Sequence, residues 1–297
     1  MNFLIEVVVG GLLAGVMYAL VALGFVLIYK ASGVFNFAQG SMVFFAALTF
    51  VSLMERGWDI WLALGVTLAA MVVIGMAIER LVLRPLVNQP PITLLMATIG
   101  LTFVLEGASQ LAWGSQPHGL ELGIPDVPIE WLSGKWNVNI SQFDVFAAAV
   151  AGVLVAVLAV LFQKTRIGRA LRAVADDHQA ALAVGIPLQH IWSIVWAVAG
   201  FVALVAGLMW GVRNGVQYAL TFTALKALPV LILGGFESIA GAIVGGLIIG
   251  ASEKLAEVYL GPFVGGGIES WFAYVVALGF LLIRPEGLFG EKIIDRV

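Results

Sequence analysis

The ionisable residues of this 297-residue chain are few, and their positions decide what chemistry it can perform. His118, His178 and His190 are scattered over connecting segments and there is no cysteine, so neither a metal site nor thiol chemistry is expected. No Gly-x-x-x-x-Gly-Lys-Ser/Thr phosphate loop occurs, since the Gly134-Lys135 pair is followed by Trp136. The Gly-x-Ser-x-Gly elbow and the His-Glu-x-x-His zinc helix are also missing. No catalytic residue, metal or cofactor is therefore expected on this chain, and it does not read as an enzyme. Glu106 stands out, because it lies well inside the apolar run Ile92 to Trp113. An ionised carboxylate in hydrocarbon costs several kcal/mol, so it faces the bundle interior and marks function, or it is bonded to polar groups of a neighbouring helix. Glu6, Arg213 and Glu253 fall near the ends of apolar runs, where snorkelling accounts for them.

The elements that must position these residues follow from composition. The chain is 61% hydrophobic and 11% charged, with 35 glycines and a formal net charge of −3. Soluble domains carry roughly 25% charged residues, so there are too few here to cover a water-exposed surface, and lipid must be the outer solvent. The near-neutral balance argues against a nucleic-acid partner. Apolar runs of about 18 residues or more mark spanning helices. They cover Phe3 to Ile28, Gln39 to Met54, Ile60 to Ile78, Ile92 to Trp113, Phe143 to Phe162, Ile191 to Val212, Phe236 to Ser252 and Ser270 to Ile283. The expected fold is an all-α polytopic bundle of about eight spans in a single transmembrane domain, residues 1–297. The first run has no basic residue before it, so it reads as a retained helix rather than a cleaved signal.

One segment does not fit a plain span. Within Phe222 to Gly235 the apolar core Ala227 to Leu233 is short, contains Pro229 and ends in Gly234-Gly235. It reads as a broken or re-entrant element at about 222–235. Such backbone survives at membrane depth only where protein or a water-filled cavity satisfies its N–H and C=O groups, as in the wall of a solute path.

Cationic loops stay on the cytoplasmic side. The loop at about 163–190 carries Lys164, Arg166, Arg169 and Arg172 and is placed inside; the loop at about 114–142, with Glu121, Asp126 and Glu130 against Lys135, is placed outside. Counting back puts Arg80, Arg84 and Lys30 inside; only Arg56 runs against the rule. Arg84-Pro85 and Arg284-Pro285 each close an apolar run, which suggests that the C-terminal tail is also cytoplasmic. That placement requires either that the broken element crosses or that residues 236–267 double back. Gly241 with Gly245, Gly246 with Gly250, and Gly11 with Gly15 repeat a small-xxx-small spacing that lets helix backbones approach closely in lipid.

In the inside loop Ile167, Leu171, Val174, Leu182 and Ile186 can line one helical face while the arginines lie elsewhere, so short amphipathic helices at the membrane surface are expected. Gln179-Ala180-Ala181 followed by Gly185 resembles the Glu-Ala-Ala-x-x-x-Gly coupling loop of ATP-binding-cassette importer permeases, with Gln in place of Glu. The resemblance then broadens. Val34-Phe-Asn-Phe-Ala-Gln-Gly40, Ala97-Thr-Ile-Gly-Leu101, Thr165-Arg-Ile-Gly-Arg169, Leu233-Gly-Gly-Phe-Glu-Ser-Ile-Ala-Gly-Ala242 and Arg284-Pro-Glu-Gly-Leu-Phe-Gly290 occur in the order and approximate spacing of the LivH-type permease of branched-chain amino acid ABC transporters.

The resemblance implies an ATP-driven importer of the bacterial inner membrane. This chain would form half of the translocation path for branched-chain amino acids or another small polar solute such as urea or a short amide. Its implied partners are a paralogous second permease, two ABC ATPases and a periplasmic solute-binding protein, with the chain embedded in the bilayer. It assigns ATPase coupling to Arg166, Gly168, Arg169, Ala180, Ala181 and Gly185. The solute path would include Asn36, Gln39, Ser41, Glu106, Glu237 and Ser238, and Gly241, Gly245, Gly246 and Gly250 would pack helices. Asn36, Gln39 and Ser41 can equally serve as helix caps and interhelical bonds, and Glu237 and Ser238 can cap locally. Two departures stand out: the family often has an acid where this chain has Ser41, and a small or apolar residue where it has Glu237. A reading from another class is an ion-coupled secondary transporter that uses Glu106.

Overall fold

The computed structural model describes residues 2–86, 89–136, 138–176 and 178–290. The first helices are α1 (Asn2–Ser32), α2 (Gln39–Glu55), α3 (Ile60–Ile78) and α4 (Pro91–Trp113). A short α5 (Glu130–Trp136) precedes α6 (Gln142–Lys164), α7 (Arg166–Asp176), α8 (His178–Ala183) and α9 (Leu188–Asn214). The chain continues through α10 (Ala219–Leu225), α11 (Ala227–Gly234), α12 (Ile239–Val264) and α13 (Phe272–Ile283). No strand forms among the described residues beyond two isolated bridges, His118 with Val216 and Pro128 with Ser141. Without water to receive it, backbone at membrane depth closes its hydrogen bonds within each helix.

Helix ends fall where the sequence supplies caps. The Asp59 carboxylate accepts from the Trp61 and Leu62 amides at the start of α3, and Pro91 opens α4 where its missing N–H costs nothing. Ser238 Oγ accepts from the Gly241 amide at 2.9 Å and starts α12, which Gly265 ends in the left-handed region at φ +100°. Among the described residues six helices are long and apolar enough to cross a membrane: α1, α3 with its extension to Leu86, α4, α6, α9 and α12. α2, the segment Ala219–Gly234 and α13 are shorter apolar helices. The 12-residue α13 rises only roughly 18 Å, and a 3₁₀ turn at Ile268–Ser270 precedes it.

The chain divides into two compact units. One comprises Met1–Leu23, Leu122–Ala156 and Lys226–Val297. There, glycines let backbone meet backbone: a Cβ on Gly246 would lie 2.6 Å from the Gly15 carbonyl oxygen, and one on Gly11 would lie 2.7 Å from that of Gly250. Gly241 packs on Gly234, and a Cβ on Gly245 would lie 2.7 Å from the Val230 carbonyl, so α11 lies equally close to α12. The residues after α13 return to the end of α11, where the Leu288 and Phe289 amides donate to the carbonyls of Leu233 and Gly234 at 2.8 and 3.1 Å. These are carbonyls that a helix end leaves open. The tail and the end of α11 thus share one end of this unit. α12 is a single helix of 26 residues that does not double back.

The other unit comprises Gly24–Glu121 and Val157–Leu225. α9 is its central helix, packed on α2 and α3, with α4 and α10 also against α2. Gly207 and Gly200 admit the close approaches, each of whose added Cβ would lie 2.6 Å from a carbonyl oxygen, of Val43 and Met71 respectively. Trp196 and Phe50 fill the interior, while Leu111 at 91% exposure and Phe103 at 67% face outward. Exposed apolar residues of this kind suit a hydrocarbon surrounding, which is as apolar as the core.

The α1–α12 seam generates a prediction. Gly246→Leu drives a side chain into the Gly15 backbone, and overpacking of this kind costs about 1–3 kcal/mol or more. The melting temperature of the purified protein in detergent should fall by several degrees. Gly10→Leu, where nothing lies within 4 Å of an added Cβ, should leave it unchanged.

Candidate functional site

The turn before α2 carries an unusual load of buried polar groups. Asn36, Gln39 and Ser41 are each 0% exposed. Asn36 Oδ1 accepts from the Ala38 amide at 3.1 Å, and its Nδ2 donates to Gln39 Oε1 at 3.3 Å. Gln39 Nε2 crosses to the Ala199 carbonyl on α9, also at 3.3 Å. Thr98 on α4 completes the turn: its hydroxyl donates to the Phe35 carbonyl at 3.1 Å and accepts from the Phe37 amide at 3.4 Å. The motif at residues 34–40 and the motif at residues 97–101 are therefore two halves of one joint.

One turn into α2, Ser41 Oγ donates to Glu106 Oε1 at 2.9 Å, and Tyr218 OH donates to Glu106 Oε2 at 3.3 Å. Glu106 is 6% exposed and held by groups of neighbouring elements. It sets a carboxylate beside the position where the resemblance leads one to expect an acid and the sequence has Ser41. Above it Tyr218 meets Phe44 and Phe222 edge to face, with ring centroids 6.4 and 5.5 Å away. A small pocket of about 20 Å³ opens beside Tyr218, lined by Phe44, Leu48, Gln110, Gln116 and Gln217, with Gly114 and Ser115 at its rim.

Two corrections to the sequence reading concern acids. Glu106 is not the only buried acid among the described residues, because Glu79 and Glu253 are also buried, at 1% and 4% exposure. Glu253 does not snorkel: α12 runs on to Val264, which leaves it in mid-helix with Lys226 Nζ 2.7 Å from its Oε1. Tyr18 OH donates to the same oxygen at 3.4 Å, and among the described residues Oε2 has no partner. Lys226 is the residue between α10 and α11, so the break in the helix is where the cation of this pair is attached. Glu79 begins a wider π turn, over which Arg84 folds back with Nε and Nη2 at 3.0 and 2.8 Å from its carboxylate. Ser193 Oγ donates to the same group at 2.8 Å and ties the end of α3 to α9. Spacing alone offered no sign of either pairing, since each partner comes from a turn or a distant helix.

The expected coupling segment is the pair α7 and α8. Thr165 Oγ1 accepts from the Gly168 amide at 3.2 Å and caps α7. Gly168 rests directly on the Phe162 backbone, which no Cβ would allow. Arg172 Nη1 and Nη2 donate to the Phe162 and Gln163 carbonyls at 2.6 and 3.3 Å, which satisfies the end of α6 with a cation of favourable sign. That role of Arg172 was missed in the sequence, where it counted only as loop charge. Arg166, Arg169 and Ala180 are exposed, and Gly185 turns the chain at φ +83°. Leu171, Val174 and Ala181 are buried, but Leu182 is 54% exposed and so does not share their face as the periodicity suggested. Val184 at 75% and Ile167 at 37% are exposed as well.

The remaining assigned residues are distributed elsewhere. Ser238 is the cap of α12, Glu237 is exposed beside it, and Gly241, Gly245, Gly246 and Gly250 form the contacts with α11 and α1 described above. Glu6 accepts from the Asn139 amide at 2.9 Å, and His118 Nδ1 lies 2.8 Å from Glu55 Oε1.

A bundle of membrane helices with a broken helix, a buried polar joint and a cationic helix pair in a connecting loop has the build of a transport permease. Residues 7–284 match the family described as branched-chain amino acid transport system / permease component. The chain is 28% identical to the high-affinity branched-chain amino acid transport system permease protein LivH of Escherichia coli K12, an alignment that covers 99% of this chain and 98% of that protein. It is 29% identical to BraD of Pseudomonas aeruginosa over the same shares, and 28% identical to a probable LivH of Methanocaldococcus jannaschii over 95% of this chain and 91% of that one. The chain belongs to this permease family. It is a multi-pass inner-membrane transport subunit, not an enzyme, and its family implies an ABC transporter with ATPase and binding-protein partners.

The buried pair at the helix break can be tested by a double-mutant cycle. Removing one partner of a buried ion pair costs about 3–5 kcal/mol, because the other charge is left uncompensated. Lys226→Met should therefore destabilise the protein severely in a detergent melt. Lys226→Met combined with Glu253→Leu should recover most of the loss.

Proposed function

We propose that residues 1–297 act as one permease domain forming half of the translocation path for branched-chain amino acids or a similar small polar solute. A paralogous second permease would supply the other half, a periplasmic binding protein the solute, and two ATPases the driving force. The match to the permease family over residues 7–284 is the observation that carries this reading. The geometry of α7 and α8 supports the coupling role. Thr165, Gly168 and Arg172 fasten α7 rigidly to α6, so a push on the exposed face would reach a spanning helix without loss in a slack loop. ATP and the loaded binding protein must each favour one access state by differential affinity for the switch to run. An ion-coupled carrier is not favoured, since the relatives are permease components.

Proteoliposomes holding the permease pair and the ATPases should take up solute when ATP and the loaded binding protein are supplied, and a collapsed ion gradient should not matter. Uptake that follows the gradient instead would overturn the reading. At the coupling surface, Arg169→Glu and Leu182→Glu should abolish co-purification of the ATPases while membrane insertion stays normal, read by pull-down against a membrane-fraction blot. Ala181 is a poor choice for this test because it is 2% exposed and a substitution there would disturb α8 itself.

A further inference from the structure

The chain that leaves the coupling helices is tied down at every step. Residues 184–187 join α8 to α9. Val184 donates to the Ala180 carbonyl, Gly185 to that of Leu182 and Ile186 to that of Ala181, at 3.2, 3.0 and 2.9 Å, while Pro187 has no N–H to leave open. A displacement of α8 is therefore delivered to the first turns of α9. Two consecutive residues there reach different helices. Trp192 Nε1 donates to the Ala31 carbonyl near the end of α1 at 2.8 Å, and Ser193 Oγ donates to Glu79 Oε2 just past α3, also at 2.8 Å.

Glu79 sits on the cytoplasmic side marked by Arg80 and Arg84, where a long side chain can reach water, yet it is buried. The π turn accounts for this. The Arg84 amide donates to the Glu79 carbonyl five residues back, and the wider register lays the Arg84 guanidinium on the Glu79 carboxylate. At 3.6 residues per turn an α-helix would hold residues five apart on different faces, and π turns concentrate at functional sites. Attachment of α3 to α9 does not by itself require this device. Gly75 rests on the Trp196 backbone with no room for a Cβ, and Gly200 meets the Met71 carbonyl. Such contacts have no direction, so helices packed in this way can slide along one another. A carboxylate held by a guanidinium and bonded to Ser193 pins that sliding at one point.

We propose that Glu79 is the positioning residue that passes movement of the coupling segment from α9 to α3: oriented by Arg84 and bonded to Ser193, it makes the two helices shift together rather than slip. The role rests on the coupling function proposed above for α7 and α8 and carries it through a continuous set of contacts into the membrane.

The test measures ATP hydrolysed per radiolabelled L-leucine imported, in proteoliposomes of the complete complex with its loaded binding protein. Ser193→Ala should raise this ratio by roughly threefold or more, with melting temperature and ATPase co-purification as in the wild type. Ser193→Thr, which returns the hydroxyl, should bring the ratio back, and Glu79→Gln, which releases Arg84, should raise it from the α3 side. An unchanged ratio in Ser193→Ala and Glu79→Gln, or hydrolysis and import that fall in equal proportion, would overturn the inference. A second measurement needs no solute. The chain has no cysteine, so spin labels can be placed through Leu81→Cys and His190→Cys, both at exposed positions, with cysteine-free partners. Their separation should stay fixed when ATP is added to the otherwise wild-type complex and should change when Ser193→Ala is also present; a separation that ATP alters with Ser193 in place would overturn the inference too. Retention of the ATPases by Arg169→Glu would instead overturn the coupling role on which it rests.

Discussion

Everything in this protein answers to the absence of water around its backbone. A helix satisfies its own N–H and C=O groups, but every helix end, turn and break inside the bilayer needs an outside partner. The structure supplies these one by one. Thr98 serves the turn before α2, the chain after α13 serves the open end of α11, and Arg172 serves the end of α6. All five of the sequence motifs that carry the family resemblance are halves or neighbours of these repairs. They identify the architecture because they close the same gaps, and they say little about the solute for the same reason.

Charge is rationed by the same rule. A cation–carboxylate pair can be buried where both members are held, and Glu79 with Arg84 and Glu253 with Lys226 satisfy that condition. Each pair is also attached where the helix departs from its regular form, at the π turn after α3 and at the break between α10 and α11. Irregular backbone and buried charge therefore occur together. Glu106 breaks the pattern, since it lies within an unbroken helix and, among the described residues, its hydrogen bonds come from two hydroxyls.

Much of the fold was legible in the sequence, because hydrocarbon thickness imposes a length on every span. The runs Ile60 to Ile78 and Ile92 to Trp113 became α3 and α4 almost residue for residue; the broken segment ends at Gly234-Gly235 as expected, but its break falls at Lys226, ahead of Pro229, which α11 includes. What hydropathy could not show is which helices are central. α9 is 72% buried and α3 only 22%, yet both are apolar on every side, because lipid and protein interior ask for the same residues. The start of α2 was recognisable as a polar site from Asn36, Gln39 and Ser41. The contact of Ser41 with Glu106 was not, since it joins different helices. Glu253 was misplaced for a related reason: α12 continues through charged residues that end an apolar run on paper but are neutralised in space.

The closure of α11 by the tail bears on how such a chain is made. The carbonyls of Leu233 and Gly234 find partners in Leu288 and Phe289. Two whole helices, α12 and α13, must be synthesised before that pairing can form. Throughout that interval the nascent permease carries an open helix end, so residues made late in synthesis seal a joint laid down long before them.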